Sequence, residues 1–236
     1  MTRWGGKRMV IAALVGVLVL AGGAYAIFEF VSGGGEDPVS NADVPAGDGT
    51  TAGTTAFDGD FAGTWTLVAG DSFVGYRVRE QLAFLPAPND ATGRSTAVEG
   101  MLEIDGLEIV ATNVTADLTQ LESNESRRDD AIRTNGLESS SFPTATFELT
   151  EPIAFDEQPA EGEVVMVEAT GDLTLHGVIR EVTFPLEGRW DGGQIAVVGS
   201  LEIAFADYDI TAPSIGPATV EDHGTIELQL LFVPAS

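Results

Sequence analysis

The sequence predicts an all-β domain, an extended antiparallel barrel of about eight strands with a short helix, preceded by one apolar N-terminal helix that spans a membrane. From residue 61 onward, short runs alternate apolar and polar residues, which is the period of strands that bury one face. Eight or nine such runs fall in roughly 175 residues and suggest a closed barrel or a sandwich. Runs of about nine to twelve residues favour the barrel, whose interior just accommodates one slender ligand.

The N-terminal region has the composition of a membrane segment. Residues 9–31 are apolar apart from Glu29, and a helix of this length spans roughly 34 Å, enough for a bilayer core of about 30 Å. Residues 1–8 carry three basic side chains, so the positive-inside rule makes them a cytoplasmic n-region. The pattern predicts a single-pass anchor in the cell membrane, with the C-terminal domain outside the cytoplasm.

A removed signal peptide is the alternative for the same segment. Ala24-Tyr25-Ala26 has the small-x-small pattern of a cleavage site, and cleavage would release a secreted protein. The apolar run continues to Phe28, however, and is longer than the roughly 7–15 apolar residues of a signal peptide. The anchor is therefore favoured.

Residues 32–60 form the predicted linker between this segment and the domain at 61–236. They are mostly Gly, Ala, Thr, Asp and Pro, with few large side chains to bury. A flexible coil of about 28 residues has an r.m.s. reach of roughly 30 Å. The sequence thus predicts a flexible acidic tether.

Alternation is clearest in the run 164–175. Every second residue from Val165 to Leu175 is apolar or glycine, whereas those from Glu168 to His176 are polar. The candidate strands are 63–68, 73–80, 96–105, 108–118, 144–153, 164–175, 181–188, 194–205 and 225–233.

One segment, 123–143, breaks the strand pattern and predicts a short surface or lid helix. Ser123 is a candidate N-cap and Gly136 a candidate stop. The segment also holds three of the eight arginines that follow residue 31.

The composition excludes several functions. The formal net charge is −26, and after residue 31 there are eight arginines, no lysine and 36 acidic residues. Such a surface repels nucleic-acid phosphates and anionic lipid, so nucleic acid is not a predicted partner. The charge is typical of solubility or of life in salt. Since the chain has no cysteine, disulfides, thiolate metal sites and cysteine nucleophiles are excluded.

Four stretches, taken in order, resemble the YceI-like family. They are RRDDAIR at 127–133, FPTATFELTEPI at 142–153, ATGDLTLHGVIREVTFPLEG at 169–188 and VVGSLEIAFADYDI at 197–210. The resemblance covers essentially the whole domain. It implies an extended lipocalin-like barrel, periplasmic or otherwise extracytoplasmic, whose elongated apolar cavity holds a polyisoprenoid or an isoprenoid-quinone-like lipid. The membrane segment and the tether are additions to the simplest family pattern.

The candidate cavity residues are apolar side chains expected to face inward. The resemblance favours a hollow interior, whereas the alternative is that these residues simply fill the barrel. They are Tyr76, Val78, Leu102, Leu118, Phe147, Leu149, Val167, Leu173, Phe184 and Phe205.

Arg127 and Arg128 are the candidate headgroup residues, because arginines at a barrel mouth could hold a pyrophosphate or a quinone oxygen. The favoured alternative is that Arg128 and Asp129 belong to an ion-pair network that ties the helix to the barrel.

His176, with Gly177, lies near the bend between two predicted strands. As a general base or metal ligand it would need partners, yet neither His176 nor His223, the other histidine, has a tight cluster of acids and histidines around it in sequence. A turn position is therefore favoured, and the sequence predicts no catalytic residue, cofactor or metal.

These observations together predict a membrane-tethered, extracytoplasmic protein that binds an isoprenoid-type lipid without catalysis. The first alternative is an envelope-interaction or adhesion module with a solid core. A hydrolase or isomerase that uses His176 is the less favoured second alternative.

Overall fold

The computed structural model describes residues 38–40, 44, 61–83, 87–212, 214–215 and 218–235. The predicted n-region and membrane segment, and most of the predicted linker, lie outside these residues. In the part of the chain that is described, no helix is long and apolar enough to cross a membrane.

The described residues form fourteen strands, all joined by antiparallel pairings in one sheet. The strands are β1 (Gly63–Leu67), β2 (Phe73–Leu82), β3 (Asn89–Ser95), β4 (Val98–Asp105), β5 (Glu108–Asp117), β6 (Glu122–Ser123), β7 (Thr144–Leu149), β8 (Ile153–Ala154), β9 (Val164–Leu175), β10 (Val178–Trp190), β11 (Ile195–Ala204), β12 (Ser214–Ile215), β13 (Ala218–Val220) and β14 (His223–Pro234). Short 3₁₀ turns occupy Ala69–Asp71, Leu118–Gln120 and Phe205–Tyr208.

Eight of these strands close a barrel. Their order around the ring is β1-β4-β5-β7-β9-β10-β11-β14, and β14 pairs back with β1. Because β14 is twelve residues long, its N-terminal half can pair with β2 while its last residues pair with β1. From β2 the sheet continues to β3 and β13 beside the ring. The prediction of an antiparallel barrel of about eight strands is confirmed.

The hairpin β9–β10 pairs from Leu175 with Val178 to Val164 with Arg189. Its two turn residues, His176 and Gly177, have φ angles of 52° and 76°. Two successive positive φ values are typical of the tight turn that matches the twist of a two-residue hairpin. The bend predicted at His176-Gly177 is confirmed.

Two features of the sheet departed from the sequence prediction. β3, with the sequence NDATGRS, has no apolar alternation and was not among the candidate strands. It forms because the backbone of β2 lies along it and offers hydrogen-bonding partners, with β6 pairing on its other edge. The predicted strand 144–153 is divided into β7 and β8, which both pair with β5, but only β7 also pairs with β9.

The predicted helix is α1 (Ser126–Ala131), followed by a π-helical turn at Ile132–Gly136. Gly136 ends it as expected, but the N-cap is Glu125 rather than Ser123. Ser123 belongs to β6, and its hydroxyl donates to the Asp129 carboxylate at 2.6 Å. The capping prediction was wrong because Ser123 lies in β6, two residues before the cap, and the Glu125 carboxylate accepts from the Arg127 backbone N–H instead.

The buried core has two main clusters, one containing Trp65, Ile104 and Phe232 and the other containing Leu118, Leu175 and Tyr208. Many other inward-facing residues, such as Val167 and Leu228, are only half-buried because they line internal space. The barrel is therefore packed in part and hollow in part.

One residue of the predicted linker, Val44, packs on the outer face of β11. It is 3% exposed and covers Ala196 and Val198. The Arg189 guanidinium donates to its backbone carbonyl at 3.0 Å. The chain is thus held against the barrel at this point.

Candidate functional site

A cavity of about 150 Å³ lies inside the barrel. Its walls are overwhelmingly apolar, and the polar residues among those that line it include Thr112, Thr146 and Arg189. A volume of this size with aliphatic and aromatic walls is enough to hold a small hydrocarbon such as benzene. Six of the predicted cavity residues line this first cavity: Leu102, Phe147, Leu149, Val167, Leu173 and Phe184.

A second cavity of about 110 Å³ lies under α1 and the π-helical turn, where Ile132, Gly136 and Leu137 form part of its lining. The other four predicted cavity residues line it: Tyr76, Val78, Leu118 and Phe205. The structure thus distributes all ten predicted residues over two cavities. Their contact with a ligand stays a prediction.

The two cavities adjoin. Val74, Ala145 and Ile226 line both, so these three side chains form the division between them. A slender ligand that occupied both cavities would therefore pass these side chains. The predicted lid position of the helix agrees with its place over the second cavity.

The interior of the first cavity depends on a close approach between β7 and β9. The Phe147 ring lies directly on Gly171, where a β-carbon would overlap it. Phe147 also meets Phe184 edge to face, with ring centroids 5.4 Å apart. Gly171 therefore allows two large rings to stand side by side in the wall.

Trp190 is a lining residue that the sequence analysis did not identify. Its indole Nε1 is buried and has no hydrogen-bond acceptor. A buried N–H without a partner is costly, so it marks a point where a bound oxygen atom would be stabilised. The sequence signal that could have identified Trp190 is its place just after the predicted strand 181–188, because β10 extends to Trp190.

Arg128 is buried and fully engaged by protein groups. Its Nε and Nη2 donate to the Glu80 carboxylate at 2.9 and 3.1 Å, and its Nη1 donates to Asn124 at 2.8 Å. Burial opposes the guanidinium charge, but the Glu80 carboxylate outweighs it and holds the pKa of Arg128 above its ordinary value. Arg127 is exposed.

This geometry agrees with the alternative in which Arg128 ties the helix to the barrel. Glu80 of β2 is the ion-pair partner of Arg128, whereas the Asp129 carboxylate accepts from Ser123. Glu80 was missed although it shares the inward parity of Tyr76 and Val78. A role of Arg127 and Arg128 in holding a headgroup stays a prediction.

Tyr76 lies beside this pair in the second cavity. Burial raises the pKa of its hydroxyl, and the positive charge of Arg128 offsets only part of that effect. Tyr76 is therefore neutral at physiological pH, and a neutral phenol suits a mainly apolar wall.

His176 has a structural environment. Its Nδ1 lies 3.0 Å from the Tyr208 carbonyl oxygen and therefore carries the proton, and its ring packs on Phe142 with centroids 4.3 Å apart. Its Nε2 is buried without a partner, and His176 lines neither cavity. Within the described ranges, no group of three or more His, Cys, Asp or Glu side chains is arranged to hold a metal ion.

Residues 65–232 match the profile of the YceI-like domain, which is more than half of the chain. The chain belongs to the YceI-like family. The resemblance identified in the sequence is thereby confirmed.

Relatives of this YceI-like chain occur in several bacteria. A UPF0312 protein of Vibrio parahaemolyticus is 31% identical over 139 residues, which is 55% of this chain and 69% of that protein. Protein YceI of Escherichia coli O157:H7 is 28% identical over 116 residues, 46% of this chain and 56% of the relative.

Two solved structures share the YceI-like fold. A polyisoprenoid binding domain from Saccharophagus degradans, implicated in plant cell wall breakdown, superposes with a TM-score of 0.57 at 19% identity, covering 72% of this chain and 98% of that one. BcnA of Burkholderia cenocepacia gives a TM-score of 0.56 at 18% identity, covering 70% and 98%. At these identities the likeness is one of fold.

Proposed function

We propose that this YceI-like protein binds an isoprenoid-type lipid, a polyisoprenoid or an isoprenoid quinone, inside its barrel and performs no catalysis. The observation that carries the proposal is the pair of adjoining apolar cavities. Each is of a size for a short hydrocarbon segment, and together they offer a slender path rather than a wide pocket.

The apolar lining determines the energetics of ligand binding. Burial of apolar surface stabilises by roughly 25 cal/mol per Å², offset by the freedom that a flexible chain loses on binding. A ligand with a long thin hydrocarbon chain uses such a path best, since each added segment buries more area without needing a wider bore. To occupy both cavities it must displace the side chains that divide them, such as Ile226.

The family supports the same class of ligand. The neighbour from Saccharophagus degradans is a polyisoprenoid binding domain with the same fold. The hollow interior favours a carrier over an interaction module with a solid core. The position of His176 in a turn also supports a carrier without catalysis, because its protonated Nδ1 donates a hydrogen bond to the Tyr208 carbonyl.

The proposal includes an N-terminal anchor formed by residues 9–31, which would keep the domain outside the cytoplasm and next to a membrane. Its support is the apolar length of that segment and the basic residues before it. A cleaved signal peptide would give the same ligand site in a secreted protein.

The experiment has two parts. The full chain is purified from its native host membrane and its bound lipids are identified by mass spectrometry, with a polyprenyl or quinone lipid as the expected result. Gly188→Leu then fills the first cavity, because a β-carbon at this lining position meets only Val165, at 3.7 Å. We expect this variant to lose most of its bound lipid.

The matched control is Gly193→Leu, at a nearby turn position with open space around it. It should retain the lipid content of the unmodified protein. A chain that emerges without lipid and takes up neither polyprenols nor quinones would contradict the proposal, as would equal lipid content in the Gly188→Leu and unmodified proteins.

A further inference from the structure

One edge of β9 is unpaired over half its length. β9 pairs with β10 from Val164 to Leu175, but on its other side β7 pairs only with Gly171–Thr174. Among the described strands, none pairs with residues 164–169 on that side. The chain after β7 turns away here, because the backbone N–H groups of Thr150 and Glu151 both donate to the Thr170 carbonyl, at 3.0 and 3.3 Å.

This gap in the ladder lies against the first cavity. Leu149 and Ile153 line the cavity on one side of the gap, and Val165 and Val167 line it on the other. Apart from the two bonds to the Thr170 carbonyl, no backbone hydrogen bond between the described residues crosses the wall here. Side chains can move apart without breaking a ladder, so this part of the ring can open at low cost.

The outer rim of the gap is apolar. Met166 is 67% exposed and Val164 is 48% exposed, on a domain whose surface is otherwise strongly acidic. Methionine is flexible and adapts to irregular apolar partners. Exposed Glu163 and Glu168 flank these two residues, so the rim attracts hydrocarbon and repels anionic groups.

The tether is attached close to this rim. Val164 pairs with Arg189, and Arg189 pairs with Ala196, which Val44 covers. Val44 therefore lies two strands from the open edge, about 10 Å away at the usual strand spacing. It also follows the predicted membrane segment by about 13 residues, a length that spans at most roughly 45 Å when extended.

We propose that the gap between β7–β8 and the free edge of β9 is a lateral opening through which the hydrocarbon chain of a neutral bilayer lipid passes into the first cavity. The inference rests on the proposed function and adds to it the route and the source of the ligand. The carboxylates of Glu163 and Glu168 beside the apolar rim select lipids whose polar end carries no negative charge.

The test uses the full chain reconstituted into phosphatidylcholine vesicles, with a benzoquinone that carries a short isoprenoid tail as the probe. Quenching of tryptophan fluorescence in a stopped-flow instrument reports loading, because Trp190 lines the first cavity and Trp65 belongs to the packed cluster beside it. A Trp4→Phe background removes the tryptophan that precedes the membrane segment.

Met166→Asp places a carboxylate on the rim. We expect loading and release of the probe to slow by about tenfold, with an unchanged dissociation constant, because the passing chain must strip water from the charge. The matched control is Ile179→Asp, on β10 at the opposite end of the hairpin, where the isoleucine is 63% exposed. It should load at the original rate, and so should the conservative variant Met166→Leu.

Three outcomes overturn the inference. The first is an unchanged loading rate in Met166→Asp, and the second is equal slowing in Ile179→Asp. The third is that analytical ultracentrifugation finds the unmodified chain to be a dimer that Met166→Asp dissociates, which would make the edge a subunit contact. Failure of the unmodified chain to bind the probe at all would instead refute the proposed function.

Discussion

At the scale of single residues, Arg128 shows how a scarce positive charge is used in an acidic domain. Its side chain and that of Glu80 are 2% and 3% exposed, so each is the main reason that the other can be buried. Arg77 and Glu227 form a second, partly buried pair between β2 and β14, at 2.7 Å. Both pairs lie between elements that are far apart in sequence.

We expect Arg128→Ala to lower the free energy of unfolding by about 3–5 kcal/mol, because Glu80 is then left buried and unpaired. The double variant Glu80→Leu/Arg128→Met replaces the pair by apolar side chains and should recover most of that loss. Urea unfolding measures both effects. The exposed Arg127→Ala is the control, with an expected change within about 0.5 kcal/mol.

Lipid binding by the stabilised double variant separates the two roles of Arg128. If the pair only fixes α1 over the second cavity, the double variant binds lipid normally. Loss of binding in that variant, with stability recovered, would show that the guanidinium holds a headgroup.

At the scale of elements, the β9–β10 hairpin and the α1 segment have different origins. The hairpin follows from local rules, since alternation sets its faces and the His176-Gly177 turn sets its register. α1 is a six-residue helix, too short to be stable alone. It depends on contacts with β2 and β6 through Arg128 and Asp129.

The hairpin allows a test of His176. His176→Ala should cost roughly 1–2 kcal/mol in unfolding free energy, because alanine tolerates the positive φ poorly and the hydrogen bond to the Tyr208 carbonyl is lost. His176→Asn should cost less, since asparagine adopts this backbone conformation more readily. Thermal or urea denaturation measures the three stabilities, which should decrease from the unmodified protein to His176→Asn to His176→Ala.

Both His176 variants should keep their lipid content, because His176 lines neither cavity. A fully folded His176→Ala protein that had lost its function would instead support the enzyme hypothesis.

At the scale of the whole molecule, the dominant property is charge. With a net charge of −26, most carboxylates repel one another at the surface, and this repulsion is stronger in the compact state than in the unfolded chain. The hollow interior further lowers the stability of the folded state, because side chains that line a cavity lose packing contacts. Stability of the empty domain is therefore expected to be sensitive to conditions that screen charge or fill the bore.

Raising sodium chloride from about 0.05 M to about 1 M should raise the melting temperature by several degrees, since the screening length falls from roughly 14 Å to 3 Å. Differential scanning calorimetry measures the shift. Near pH 4, where part of the carboxylates are protonated, the same salt step should have a smaller effect. A melting temperature independent of salt at neutral pH would contradict this expectation.

The sequence by itself determined the all-β class, the long strands and the inward parity of the cavity residues. These are properties of local alternation, and period two fixes which side chains share a face wherever the strand finally lies. The sequence by itself also determined the hairpin turn at His176-Gly177 and the membership of the YceI-like family.

Only the tertiary structure decided where β3 pairs, that Glu80 binds Arg128, that two cavities share the ten predicted lining residues, and that β9 has a free edge beside one of them. Each depends on contacts between residues distant in the chain, and ring closure and internal volume arise from the packing of all strands at once. Alternation specifies that a residue faces inward, but whether it meets another side chain or empty space is set by the residues opposite it.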